Sequence, residues 1–201
     1  MKTTRTLATL SIAIALVALG GSAQGPVAEL TKTETDGLIF MREEEKLARD
    51  VYTVLAEKWG SRPFSNIASS EERHMAAVKT LLDRYGLNAP ADRTKPGEFA
   101  NATLQRLYTE LVKRGSTSRV EALQVGAIIE DLDLFDLARW QKTPVRADIQ
   151  NVYANLERGS RNHLRTFYWS LKGQGVVYVA QYLGKNTLQK IVDSPHERGG
   201  G

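Results

Sequence analysis

The stretch Phe64-Ser-Asn-Ile-Ala-Ser-Ser-Glu-Glu-Arg-His-Met-Ala-Ala-Val-Lys-Thr-Leu-Leu-Asp-Arg-Tyr85 reads as one long helix. Ile67, Val78, Leu81 and Tyr85 fall on a seam of alternating three- and four-residue steps. Glu71 and His74 occupy that seam where apolar residues would be expected. Burying an unpaired carboxylate is costly, so each needs a strong partner. Glu-x-x-His sets a carboxylate beside an imidazole on one helical face, an arrangement with which helix bundles hold metals. A core histidine hydrogen-bonded to a nearby carboxylate is the plainer alternative. The choice turns on whether other helices carry matching polar breaks.

Working outward, a helix is predicted over Gly37–Trp59, capped by Thr35 or Asp36 and stopped by Gly60. Its seam is Leu38, Met41, Glu45, Ala48, Tyr52, Leu55 and Trp59, with Glu45 the one charged member. Glu43 and Glu44 are expected to be solvated first-turn acids, favoured by the helix dipole. The short link to the helix at 63–85 makes the two antiparallel neighbours. Residues 87–118 form a long crossover containing a short amphipathic helix over Ala102–Arg114.

The third long helix is expected over Arg119–Gln141, opened by a Ser118/Glu121 capping box. One face carries Glu130 and Asp133; the other carries Val125, Ile128, Leu132 and Phe135 and needs cover from the crossover or another chain. Asp133 alternatively belongs to an exposed acidic group with Asp131 and Asp136. The fourth helix, about Pro144–Lys172, is expected to be capped by Thr143 with Pro144 in its first position. Its seam, Ile149, Val152, Leu156, Ser160, His163, Phe167 and Leu171, has Ser160 and His163 as polar breaks. Val176–Leu183 is β-branched and aromatic and should run extended across the surface, followed by a helical turn at Thr187–Val192. Residues 194–201 read as a disordered tail with His196 exposed. The expectation is all-α: an antiparallel four-helix bundle over residues 36–193.

The chain has 201 residues, enough for one sizeable core. Lys2 and Arg5, the apolar run Leu7–Leu19 and the small residues Gly21-Ser22-Ala23 read as a signal peptide, residues 1–23, cleaved near Ala23; an uncleaved anchor is the alternative. Residues 24–35 would be a polar leader. The mature protein is then secreted or periplasmic, with no membrane span. The formal charge of +4 drops to +2 once the two signal cations are removed, and no basic stripe interleaved with aromatics supports nucleic-acid binding. With no cysteine, disulfides, thiolate metal sites and cysteine nucleophiles are excluded.

Each of the four long helices thus breaks its seam with metal-ligating chemistry: Glu45; Glu71 and His74; Glu130 and Asp133; His163. Converging acids repel unless counter-charged. Four carboxylates and two neutral imidazoles would be balanced by two divalent cations, and this oxygen–imidazole set suits iron or manganese, with zinc as a further choice. A buried network of acid–histidine pairs is the alternative. Ser160 stands where a bundle dinuclear site would carry a glutamate, which leaves the metal count open.

These residues resemble a known group. Glu45-x-x-Ala48-Arg49-x-x-Tyr52 resembles the first-helix motif of ferritins and rubrerythrins, Glu71-x-x-His74 their second-helix motif, and Glu130-x-x-Asp133 the acidic pair of rubrerythrin-type third helices. More specifically, Met41–Tyr52, Phe64–Met75 and Gly159-Ser-Arg-Asn-His-Leu-Arg165 are similar to the ferritin-like family called domain of unknown function 2202. The resemblance spans about Asp36–Asp193. It implies a ferritin-like fold and a dinuclear metal centre, with Tyr52 either beside the metals or simply a core aromatic. The resulting expectation is an exported metal-binding protein, a di-iron centre reacting with Fe(II), O2 or peroxide, dependent on an external electron donor and self-associating as a homo-oligomer. The competing expectation is a non-enzymatic envelope interaction or stress module with a metal-free polar core.

Overall fold

A computed structural model describes residues 29–198. The expected signal peptide and the leader up to residue 28 lie outside the described residues. The described residues form α1 (Lys32–Trp59), α2 (Arg62–Arg84), a 3-10 turn at Pro90–Asp92, α3 (Ala102–Gly115), α4 (Arg119–Trp140), α5 (Ala147–Gly173) and α6 (Lys185–Asp193). Among the described residues there is no strand, so the chain is all-α, and no helix is long and apolar enough to cross a membrane.

α1 starts earlier than the expected Gly37 because Thr31, rather than Thr35 or Asp36, is its cap. The Thr31 hydroxyl accepts from the Glu34 N–H, and the Glu34 carboxylate accepts from the Thr31 N–H, a complete capping box. Gly60 ends the helix at φ 58°, a left-handed conformation that glycine adopts without a Cβ clash. The tight link to α2 sends the chain straight back, and α2 packs along α1 while α5 packs along α4.

The interior is two apolar clusters. Tyr52, Leu55, Phe64, Ile67, Leu164 and Phe167 belong to one, and Leu38, Met41, Val78, Leu137, Ile149 and Leu156 to the other. On every long helix the polar seam breaks fall between the residues of these two clusters. The polar residues therefore form one layer sandwiched between two dry cores.

Several local expectations are corrected. Glu43 and Glu44 are not solvated: they are 3% and 2% exposed. Glu43 accepts from the N–H groups of Ala100 and Asn101, so it anchors the crossover at the start of α3. Asp131, Asp133 and Asp136 are likewise buried. Asp131 accepts from the Tyr178 hydroxyl and from the N–H groups of Gln181, Tyr182 and Leu183, pinning the extended segment against the back of α4. The apolar second face of α4 is covered in part by α3 of the crossover, as expected, and in part by that segment, while Phe135 stays 42% exposed beside Tyr182. Only half of the Ser118/Glu121 box forms, because the Glu121 carboxylate pairs with Arg114. α5 begins at Ala147, past Thr143 and Pro144, and lacks a side-chain cap of its own; the Arg146 N–H donates to Glu34 from α1 instead. Tail residues 195–198 dock rather than stray: Glu197 pairs with Arg161 and Arg165 at 2.6 and 2.8 Å, while His196 is exposed as expected. Arg161, against a push from burial and with help from Arg165, holds the Glu197 carboxyl down at about 2.

Candidate metal centre

α1 contributes Glu45, α2 Glu71 and His74, α4 Glu130, and α5 His163, all within the polar layer. Their ligand atoms form two groups, Glu45–Glu71–His74 and Glu71–Glu130–His163, within each of which the atoms lie inside 4.8 Å of one another. Glu71 belongs to both. Its Oε2 is 2.7 Å from His74 Nδ1 and its Oε1 is 2.8 Å from His163 Nδ1. His74 Nδ1 also meets Glu45 Oε2 at 3.1 Å, and His163 Nδ1 meets Glu130 Oε2 at 3.5 Å. The three carboxylates are 2% exposed, and each imidazole keeps a narrow exposed edge.

Neighbours fix these groups in place. Tyr52 Oη donates to Glu130 Oε1 at 2.5 Å, with its ring packed against Phe64 and Phe167. Burial, then the Glu130 charge, push the Tyr52 hydroxyl well above its ordinary value, so it keeps the proton it donates. Gly159 makes room for His74: a Cβ there would lie 2.5 Å from His74 Nε2. No sequence period singles out Gly159; only a helix-to-helix approach does. Gly159→Ala is therefore expected to displace the imidazole and cost about 1–3 kcal/mol of stability by overpacking. Urea unfolding and the His74 ring resonances in NMR check both effects.

Asp133 is the expected ligand that joins neither group. It accepts a hydrogen bond from Ser160, whose hydroxyl also reaches the Leu156 carbonyl. Ser160 thus supports Asp133 at the edge of the layer. Glu157 lies outside, bonded to Gln141 and facing Arg161.

The electrostatics are those of a site with surplus negative charge. Burial pushes the Glu71 carboxyl up, but His163 and His74 outweigh it and hold it well below the usual carboxylate range. Burial works against a charged His163, yet Glu71 and Glu130 raise it to about 10; His74 is raised in the same way by Glu45 and Glu71. Burial and the Glu130 charge push Asp133 up to about 8, and burial with the Asp133 charge lifts Glu45. Protons on the imidazoles thus serve as counter-charge in the metal-free protein.

The residues fit a metal. Glu45 Oε1, Glu71 Oε1, Asp133 Oδ1 and His163 Nδ1 are buried without a hydrogen bond. Glu71 Oε1 and His163 Nδ1 stand close but misaligned for an N–H···O bond. Orphaned buried polar atoms cost about 1–3 kcal/mol each, and converging carboxylate and imidazole atoms are the donors that iron, manganese or zinc accept.

Comparison with known proteins gives concordant matches. The chain is 47% identical over 174 residues to the uncharacterised protein MJ0754 of Methanocaldococcus jannaschii, covering 87% of this chain and 94% of that one. A crystal structure of hypothetical protein MJ0754 from Methanococcus jannaschii DSM 2661 superposes with a TM-score of 0.83 at 46% identity, over 86% of this chain and 98% of the other. The family model described as uncharacterised protein domain DUF2202 matches residues 34–195, from the first turn of α1 through α6. With a match of that extent and a relative of that identity, the chain belongs to the DUF2202 family.

Proposed function

We propose that this chain is an exported, ferritin-like metal-binding protein whose centre takes two divalent cations, iron foremost, with manganese and zinc as the other candidates. The observation that carries the reading is Glu71: each of its two oxygens faces a different imidazole, and it is the member shared by both ligand groups. A carboxylate so placed can join two cations. Glu45 and His74 would complete one side; Glu130 and His163 would complete the other, with Asp133 in reserve beside Ser160. Two bound irons would supply the chemistry for oxidising Fe(II) or for reducing O2 or peroxide. Tyr52 would orient Glu130, and the apolar clusters on either side would keep bulk water out. Electrons would come from a separate donor, since a chain without cysteine cannot build a thiolate iron centre.

The second reading, a metal-free polar core in an envelope interaction module, has one observation in its favour: His74 Nδ1 already lies within hydrogen-bond range of two carboxylates. It predicts that a chelator changes neither melting temperature nor assembly state. The orphaned oxygens of Glu45, Glu71 and Asp133 count against it.

Elemental analysis of untagged protein is the test, with two ions per chain expected. Cation binding must also displace protons from His163 and His74. Affinity is therefore expected to rise with pH, by about tenfold per unit for each proton displaced, up to about pH 10 for His163. The metal-free chain has the opposite dependence. The raised His163 value contributes stability that is complete below its ordinary value of about 6.5 and is lost as pH climbs to about 10. Melting curves of chelated and loaded protein between pH 6 and 10 should diverge. Substoichiometric metal and parallel curves would overturn the proposal.

A further inference from the structure

Glu44 is the buried acid that the centre leaves unused. Both of its carboxylate oxygens are buried without a hydrogen-bond partner, the largest such deficit of any side chain among the described residues. It forms part of the wall of a cavity of ≈ 480 Å³ between α1, α3 and α4, together with Asp136, Glu110, Leu107, Leu132 and Arg139. Asp136 is buried, with an outer oxygen 3.1 Å from Arg139 Nε. Arg139 is itself exposed and held at the rim over the rings of Phe40 and Trp140. On the inner side Glu44 is the chain neighbour of Glu45, and Asp133 sits one turn before Asp136 on α4. Burial, then the charges of Asp133, Asp136 and Glu45, push the Glu44 carboxyl well up, and its side chain meets that of Asp136. An acidic line thus runs from Asp136 at the cavity wall, through Glu44, to Asp133 at the edge of the polar layer and Glu45 in the centre.

Such a line is costly, because acids that face one another away from water repel. Glu43, next in sequence and equally buried, is fully engaged in anchoring the crossover. Glu44 meets no N–H donor and faces only another acid, Asp136, and two buried carboxyls set against each other destabilise the fold. A divalent cation passing from the cavity is the ligand that Glu44 and Asp136 together would recognise, with oxygen atoms only and no imidazole to retain it.

We propose that the cavity lined by Glu44 and Asp136 is the port through which divalent cations reach the two-ion centre, with Glu44 as the transfer ligand and the Arg139 guanidinium as a competing charge at the mouth. The inference rests on the two-ion reading of the centre. The test is stopped-flow loading of chelator-stripped protein with Co(II), followed by its visible absorption, with final stoichiometry by elemental analysis. Glu44→Gln keeps size and shape, replaces an acid crowded by other acids with a neutral amide, and should fold about as well as the parent. It is expected to slow loading tenfold or more while the final content stays at two ions per chain. Leu107→Trp, which fills the cavity without altering a charge, should slow loading likewise. Arg139→Gln should speed it, a change of opposite sign that general destabilisation would not produce. Unchanged loading rates in Glu44→Gln and Leu107→Trp at full stoichiometry would overturn the port alone. Loss of one ion in Glu44→Gln would make Glu44 a resident ligand and overturn it too. Absence of bound Co(II) in the parent protein would remove the centre and the port together.

Discussion

Glu71→Ala is expected to abolish binding at both halves of the centre, with metal content falling from two ions per chain to traces. The reason is geometric. Glu71 Oε2 faces His74 and Glu71 Oε1 faces His163, so one truncation takes a ligand from each group. Loss of a mere outer partner of a metal ligand costs about 10–100-fold in affinity; loss of a shared ligand should exceed about 100-fold for each ion. His163→Ala serves as the graded comparison: it touches only the Glu71–Glu130–His163 group and should leave one ion bound. Glu72→Ala is the neighbour control, since Glu72 faces out to Arg49 with a side chain 61% exposed. Isothermal titration with Fe(II) under anaerobic conditions, or with Mn(II), reads all three. If Glu71→Ala and Glu72→Ala bind alike, the two groups are not a metal centre.

The largest effect on stability is expected far from that layer, at Asp131. It is fully buried and receives four hydrogen bonds, at 2.8 Å from Tyr178 Oη and 2.6, 3.1 and 2.8 Å from the N–H groups of Gln181, Tyr182 and Leu183. Hydrogen bonds to a charged group contribute about 1.5–3 kcal/mol each, and orphaned donors are penalised further. Bonds sharing one acceptor are not additive, so Asp131→Ala is expected to cost about 3–5 kcal/mol. Urea unfolding gives the size; amide exchange at residues 181–183 gives the location, since those N–H groups should lose protection before the long helices do. Asp131→Asn retains a single acceptor oxygen and should fall between. A loss under about 1 kcal/mol would show that packing of Tyr178, rather than Asp131, holds the segment.

The contrast between these two residues explains what the sequence revealed. Glu45, Glu71, His74, Glu130 and His163 were legible because each interrupts an apolar seam of period 3.6, and the interruption is visible without knowing what lies opposite. Asp131, Glu43 and Glu44 were not. Seam reading assumes one covered face per helix, whereas α1 is covered by α2, by α3 with the crossover, and by α4, so three successive glutamates are all buried. Asp131 looked like a solvated acid because its partners are backbone N–H groups about fifty positions later, which carry no residue-type signature. The extended run at 176–183 was readable from its β-branched and aromatic content; what fastens it was not. The three-residue spacing to Glu130 puts Asp133 on the Glu130 face, but spacing does not show that Ser160 on α5 engages one of its oxygens and leaves the other without a hydrogen bond. The same long-range logic hides the start of α5, because the N–H of Arg146 just before it is held across a sequence separation of 112 by Glu34.

That last contact has a practical consequence. One carboxylate closes the first turn of α1 with Oε2 and accepts from the N–H of Arg146, the residue just before α5, with Oε1. The beginnings of the first and last long helices are therefore knotted at a single side chain within residues that a composition-based boundary would assign to the leader. Shortened versions of this protein that begin at Asp36 would fray two helices with one cut, and the helix loosened at a distance would be the one that carries His163. An expression boundary drawn before Glu29, whose carbonyl meets the Arg146 guanidinium, keeps both ends tied.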